Sequence, residues 1–143
     1  MQNQNHAQSI AERLAKIPNA NLQAIAKYGC CAFVLRWCLY IEGTEIEEIE
    51  SLNRMIVAGA IGKDCTVKWE QAIEYLTGKK SKIEFVKINS IAHIKERTPV
   101  RFDYNGKSHW VGVENGKVAY NPLRQSVCVE LGKPAEARLI TLK

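Results

Sequence analysis

Two hydrophobic periods divide the chain. From Cys30 to Ile41 almost every position is apolar, broken only by Arg36. Phe33, Trp37 and Tyr40 fall at helical spacing with Val34, Cys38 and Ile41 beside them, which predicts a buried central helix closed by Gly43. Ser9-Ile10-Ala11-Glu12 is a capping box, so a short helix is expected over about Ile10 to Lys16, stopped by Pro18. A second short helical stretch is expected over Asn21 to Ala26. Thr44 with Glu47 opens a helix running to about Val57, with Ile46, Ile49, Leu52, Asn53 and Ile56 inward, ended by Gly59 and Gly62. Cys65 to Val67 reads as a short extended piece. Trp69, Ala72, Ile73 and Leu76 share one side of a further helix closed by Gly78.

After Lys80 the period changes to two. Lys82 to Ile88, Pro99 to Tyr104, His109 to Glu114 and Val118 to Tyr120 read as strands. Asn105-Gly106 and Asn115-Gly116 are strong hairpin turns between them. Ser126 to Leu131 and Arg138 to Leu142 are two more expected strands. The predicted class is therefore α+β, with a helical N-terminal half packed on an antiparallel sheet from the C-terminal half. No boundary, repeat or low-complexity stretch divides it, so residues 1–143 are expected to form one domain, with 1–8 as a flexible tail.

Composition narrows the partners. No apolar run approaches the roughly 18 residues of a membrane span. Met1 to Gln8 is polar and lacks the apolar core of a secretory signal, which makes the cytoplasm the expected location. The net charge is +5, but the basic residues are scattered and Lys79-Lys80-Ser81-Lys82 reads as a solvated turn. Without a basic helix or an aromatic-basic alternation, nucleic acid is a disfavoured partner. The five cysteines, Cys30, Cys31, Cys38, Cys65 and Cys128, are odd in number and contain no Cys-x-x-Cys. That argues against a disulfide framework and a structural zinc site, and no cofactor is expected. Cys38, Cys65 and Cys128 read as small buried hydrophobes.

Cys30 is different in its setting. It follows Tyr28-Gly29 at a helix start, where unpaired N–H groups and the helix dipole lower a thiol pKa from its ordinary ~8.5. Taken alone, it also fits a buried small residue. His109 shares a strand face with Val111 and Val113, whereas His6 lies in a polar tail and His93 in a surface turn. A histidine on an apolar strand face is more often a hydrogen-bonded core residue than a base, yet only this one has the rigid setting a base needs. Asn121 follows the next strand, 12 residues on, and reads either as a turn residue before Pro122 or as a group that orients an imidazole. A hairpin about Asn115-Gly116 would bring the two together, and a slip of register would separate them.

Tyr28-Gly29-Cys30, Ser108-His109-Trp110-Val111-Gly112-Val113 and Val118-Ala119-Tyr120-Asn121-Pro122 together resemble the papain-like cysteine peptidase superfamily, nearest to its bacteriocin-processing, double-glycine leader peptidase branch. The resemblance covers roughly Lys27 to Leu123. Gly59 to Trp69 also resembles small bacterial and phage proteins of unknown function. The resemblance implies a cysteine hydrolase, a peptidase or amidase, with Cys30 as nucleophile, His109 as base and Asn121 as orienting residue. It further implies a glutamine before the cysteine that completes the oxyanion hole. Gln23, seven residues before Cys30, stands near that interval. Asn121 replaces the aspartate usual in the nearest branch, and Cys31 is a rival nucleophile. The implied substrates are peptides, proteins or peptidoglycan peptides. The alternative is a catalytically inactive papain-like domain that binds a protein or peptide.

Overall fold

The computed structural model describes residues 8, 30–41, 47, 50–52, 55, 68–122 and 127–143; of Cys30 and Val127 it describes the backbone. In chain order these form α1 (Cys30–Cys38), α2 (Trp69–Thr77), β1 (Ser81–Lys87), β2 (Thr98–Tyr104), β3 (Lys107–Glu114), β4 (Lys117–Tyr120), α3 (Val127–Glu130) and β5 (Lys133–Leu142). Gln8, Glu47, Glu50, Ser51, Leu52 and Met55 are also helical. The five strands make one antiparallel sheet in the order β1-β5-β2-β3-β4. The class is α+β. Among the described residues no helix is long and apolar enough to cross a membrane.

α1 is apolar nearly all round because it is enclosed on all sides. Ala32, Phe33, Val34, Leu35 and Trp37 are each at most 3 % exposed. The helix stops earlier than its apolar run predicts. Ile41 N–H donates to the Arg36 carbonyl at 3.0 Å and Tyr40 N–H to the Trp37 carbonyl at 3.2 Å, a Schellman cap with Tyr40 at φ 58°. A left-handed tyrosine costs roughly 1–2 kcal/mol. Arg97 offsets this cost: its guanidinium lies 4.1 Å from the Tyr40 ring centre and 4.4 Å from that of Trp37, and Nη1 donates to the Trp37 carbonyl at 2.9 Å. A residue from the far half of the chain thus sets the helix end, and Gly43 lies outside the described residues.

The sheet has an apolar layer on each face. On the α1 face, Tyr120, Trp110, Ile83 and Ile140 pack with α1 and α2. On the other face, Val100, Phe102, Val111, Val113 and Ala137 pack with Ile94 and Cys128. Cys128 belongs to a segment whose alternation predicts a strand, but Val127–Glu130 is a turn of helix. The topology explains the change. β5 lies between β1 and β2, so the chain leaving β4 must cross the sheet before it pairs. Gly132 ends the turn, donating to the Cys128 carbonyl at 3.1 Å, where a side chain would run into the Cys128 and Asp103 carbonyls. β5 is longer than predicted because Pro134 sits opposite Phe102 at a bulge, where its missing N–H is tolerated.

The remaining strands and α2 lie within a residue or two of their predicted bounds. α2 ends on Gly78 at φ 72°. The predicted helices over 10–16 and 21–26, the extended piece at 65–67 and Cys65 lie outside the described residues. Gln8, at the end of the expected tail, is helical and only 8 % exposed.

Candidate functional site

β3 carries His109 with Val111 and Val113 on one face, and Trp110 with Gly112 on the other. His109 stands opposite Phe102 of β2, in the layer away from α1. Asn121 reaches the same layer through a local irregularity. β3 and β4 pair Glu114 with Lys117 and Val113 with Val118, then Gly112 with Tyr120. Ala119 is therefore an extra residue, a β-bulge. In an unbroken register Asn121 would stand across from Trp110, on the α1 face. The extra residue moves it one step, across from Val111, and so onto the face of His109. The register does shift, and the shift is what unites the pair.

The result is a hydrogen bond of 2.8 Å between His109 Nε2 and Asn121 Oδ1. With the amide oxygen as acceptor, Nε2 carries the proton and Nδ1 is left with the lone pair. His109 is 3 % exposed. Burial pushes its pKa below the ordinary 6.5, and the Asn121 bond opposes that shift only in part. At neutral pH the imidazole is neutral and able to accept a proton. Gln8 adds a third member: its Nε2 donates to the Asn121 main-chain carbonyl at 2.9 Å.

Two contacts seat the end of α1 on the sheet. Trp37 lies so close over Gly112 that a side chain there would overlap its ring, and Trp37 stacks on Tyr120 with ring centres 5.6 Å apart. Beyond that contact, Arg97 joins the Trp37 carbonyl to Glu114 (3.5 Å), the last residue of β3. The end of α1 therefore lies beside the end of β3, and α1 packs on the face of the sheet opposite to His109. β4 pairs with β3 only as far as Gly112, so at His109 the described neighbour of β3 is β2 alone.

Of the predicted site residues, His109 and Asn121 are brought together. Cys30 opens α1, and Gln23 lies outside the described residues. The rival Cys31 is 6 % exposed and belongs to the core around α1. Cys38 and Cys128 are buried, and burial pushes the Cys38 thiol well above its ordinary range, which makes it inert. Sequence reasoning missed Gln8, whose polar surroundings carry no signal, and Arg97, which reads as part of a surface turn yet has a side chain only 7 % exposed. No protein-family profile, curated protein or solved structure matches the chain.

Proposed function

We propose that the chain is a papain-like cysteine hydrolase, a peptidase or amidase, with Cys30 as nucleophile, His109 as base and Asn121 as orienting residue. The observation that carries this reading is the His109–Asn121 bond, which holds a neutral imidazole with its proton on Nε2 and its lone pair on Nδ1. That is the state a thiol proton requires. Two further observations favour Cys30 over Cys31: it stands at the helix start, and Cys31 is spent in the core.

In the reaction, the Cys30 thiol gives its proton to Nδ1 and the thiolate attacks the substrate carbonyl carbon. N–H groups at the helix start, with Gln23 as the side-chain donor, stabilise the oxyanion. The C–N bond breaks as the imidazolium returns its proton to the leaving amine. Water, deprotonated by the imidazole, then cleaves the thioester and restores the thiol. The substrate class is an amide bond in a peptide, a protein or a peptidoglycan peptide. Purified peptidoglycan and a peptide library, assayed side by side, separate these. Cys30→Ala abolishes cleavage, a loss of about 10⁴-fold or more, whereas Cys31→Ala keeps it. Equal activity in the two variants removes the proposal.

One observation favours a second reading, a papain-like domain that binds a peptide or protein without cleaving it. His109 is nearly enclosed and stands on the face away from α1, as a satisfied core histidine would. A thiol-reactive probe at neutral pH distinguishes the two: Cys30 reacts fast in a hydrolase and is inert in a binding domain.

A further inference from the structure

We propose that the chain binds an extended, uncharged peptide as an added strand, in the gap that opens between β5 and β2. The binding does not depend on the hydrolase reading. The gap lies at the end of α1 away from Cys30, and eight helical residues separate Cys30 from Cys38 by about 12 Å.

β5 outruns β2. The β2–β5 ladder reaches Val100 opposite Ala137 and stops, whereas β1 stays paired with β5 as far as Leu142. Next to Val100 in β2 stands Pro99, which has no N–H to give to β5. The chain before it is held elsewhere. The Ile94 and Lys95 carbonyls accept from the Gly116 and Asn115 N–H groups at 2.7 and 3.0 Å, and Arg97 bonds to the Trp37 carbonyl. The segment that would extend β2 is thus drawn toward the β3–β4 hairpin and the end of α1. A groove of about 670 Å³ results, with Arg138 to Leu142 along one wall and Leu39, Tyr40 and Arg97 on the other.

The register fixes what the β5 wall presents. Lys143 N–H donates to the Lys80 carbonyl, and Ile88 N–H to the Ala135 carbonyl. Both pairs continue the β1–β5 register, so Leu139 and Thr141 turn their main-chain groups toward β1, and Ile140 and Leu142 turn theirs away from it. On that side no described residue pairs with Ile140 or Leu142. Their N–H and C=O groups face the groove as two rungs of an unfinished ladder. The main chain of a short antiparallel strand matches both the donor and the acceptor at each rung.

Charge and side chains narrow the peptide. Each arginine of the groove already has its carboxylate, Arg97 with Glu114 at 3.5 Å and Arg138 with Glu136 at 3.1 Å. Exposed Glu96 on the wall disfavours an acidic ligand, and the two guanidinium groups disfavour a basic one. An uncharged peptide complements the walls best. Ile140 packs with the α1 layer, so a residue opposite it points to the same face, beside Leu39 and the exposed Tyr40. That residue is apolar, and its neighbours along the peptide point to the other face and can be polar.

The test is amide hydrogen exchange followed by NMR in the full chain. The probe is a pool of acetylated, amidated heptapeptides in which valine, leucine or phenylalanine alternates with threonine. Without the pool, the Ile140 and Leu142 amides exchange fast, while those of Leu139 and Thr141, paired with β1, exchange slowly. The pool slows the first two about tenfold or more and shifts their resonances. A pool N-methylated at its apolar residues, whose N–H groups would face β5, does neither. Leu142→Pro removes one N–H that faces the groove, leaves the β1 bonds of Thr141 and Lys143 in place, and weakens binding about tenfold. Should that variant not fold, the N-methylated pool decides: binding equal to that of the parent pool overturns the proposal. No change in either amide at millimolar peptide also overturns it. So does slow exchange of Ile140 and Leu142 without peptide. If that protection grows with protein concentration, a second copy fills the groove; if it does not, the chain's own residues do. Cys30→Ala binds the pool as wild type does, so a protein that cleaves nothing removes the hydrolase and keeps the groove. Cleavage without protection of these amides does the reverse.

Discussion

On the α1 face of the sheet, Trp37 lies on Gly112, Tyr120 stacks against it, and Arg138 rests over Trp69, Phe85 and Trp110 at 4.3 to 5.1 Å. On the opposite face, the layer built from Val100, Phe102, Val111 and Val113 passes at its end into a polar line, His109, Asn121 and Gln8. The first face is fixed by shape and the second by hydrogen bonds. Shape tolerates no extra volume, whereas a hydrogen-bonded line tolerates no missing partner. A single bulge at Ala119 serves both, since it turns Tyr120 toward Trp37 and Asn121 toward His109.

The sharpest way to break this comparison is at Gly112. Gly112→Val places a branched side chain where the Trp37 ring lies, and should cost about 3 kcal/mol or more in urea unfolding. A stable, normally packed variant would show that Trp37 is not seated as described. Asn121→Ala tests the other face. It leaves the His109 N–H buried without this acceptor and should cost about 1–3 kcal/mol. If catalysis operates, its activity should fall far more than its stability accounts for. A loss confined to stability would make the pair structural.

The smallest effect is in pH. Burial holds the folded His109 pKa below 6.5, so the unfolded chain takes up the proton first as pH falls. The contribution of His109 is complete above pH 6.5 and declines from there down to the folded pKa, by at most about 1.4 kcal/mol per pH unit. His109→Gln should flatten this part of the stability profile. An unaltered slope would mean that the ring is not held neutral by burial.

Much of this was legible in the residues themselves. The apolar run after Cys30 marks α1, and Asn105-Gly106 and Asn115-Gly116 mark both hairpins, because helix period and left-handed turns leave local signatures. His109 stands out by its strand face. What was not legible depends on distant partners. Tyr40 adopts a left-handed cap because Arg97 stacks on it, and Val127–Glu130 forms a turn of helix on the crossing from β4 to β5. The bulge at Ala119 has no residue signature, so the sequence predicts an unbroken register where the pair needs a shifted one. Gln8 lies in a polar stretch that nothing local distinguishes from a tail.

The central claim is that the Cys30 thiol meets the lone-pair nitrogen of His109. The most direct measurement is the separation of Cys30 Sγ from His109 Nδ1 in a high-resolution crystal structure of the reduced protein. The account predicts contact, about 3–4 Å, with Asn121 on the far nitrogen. A sulfur packed on the Trp37 side of the sheet, with protein between it and the ring, would contradict it.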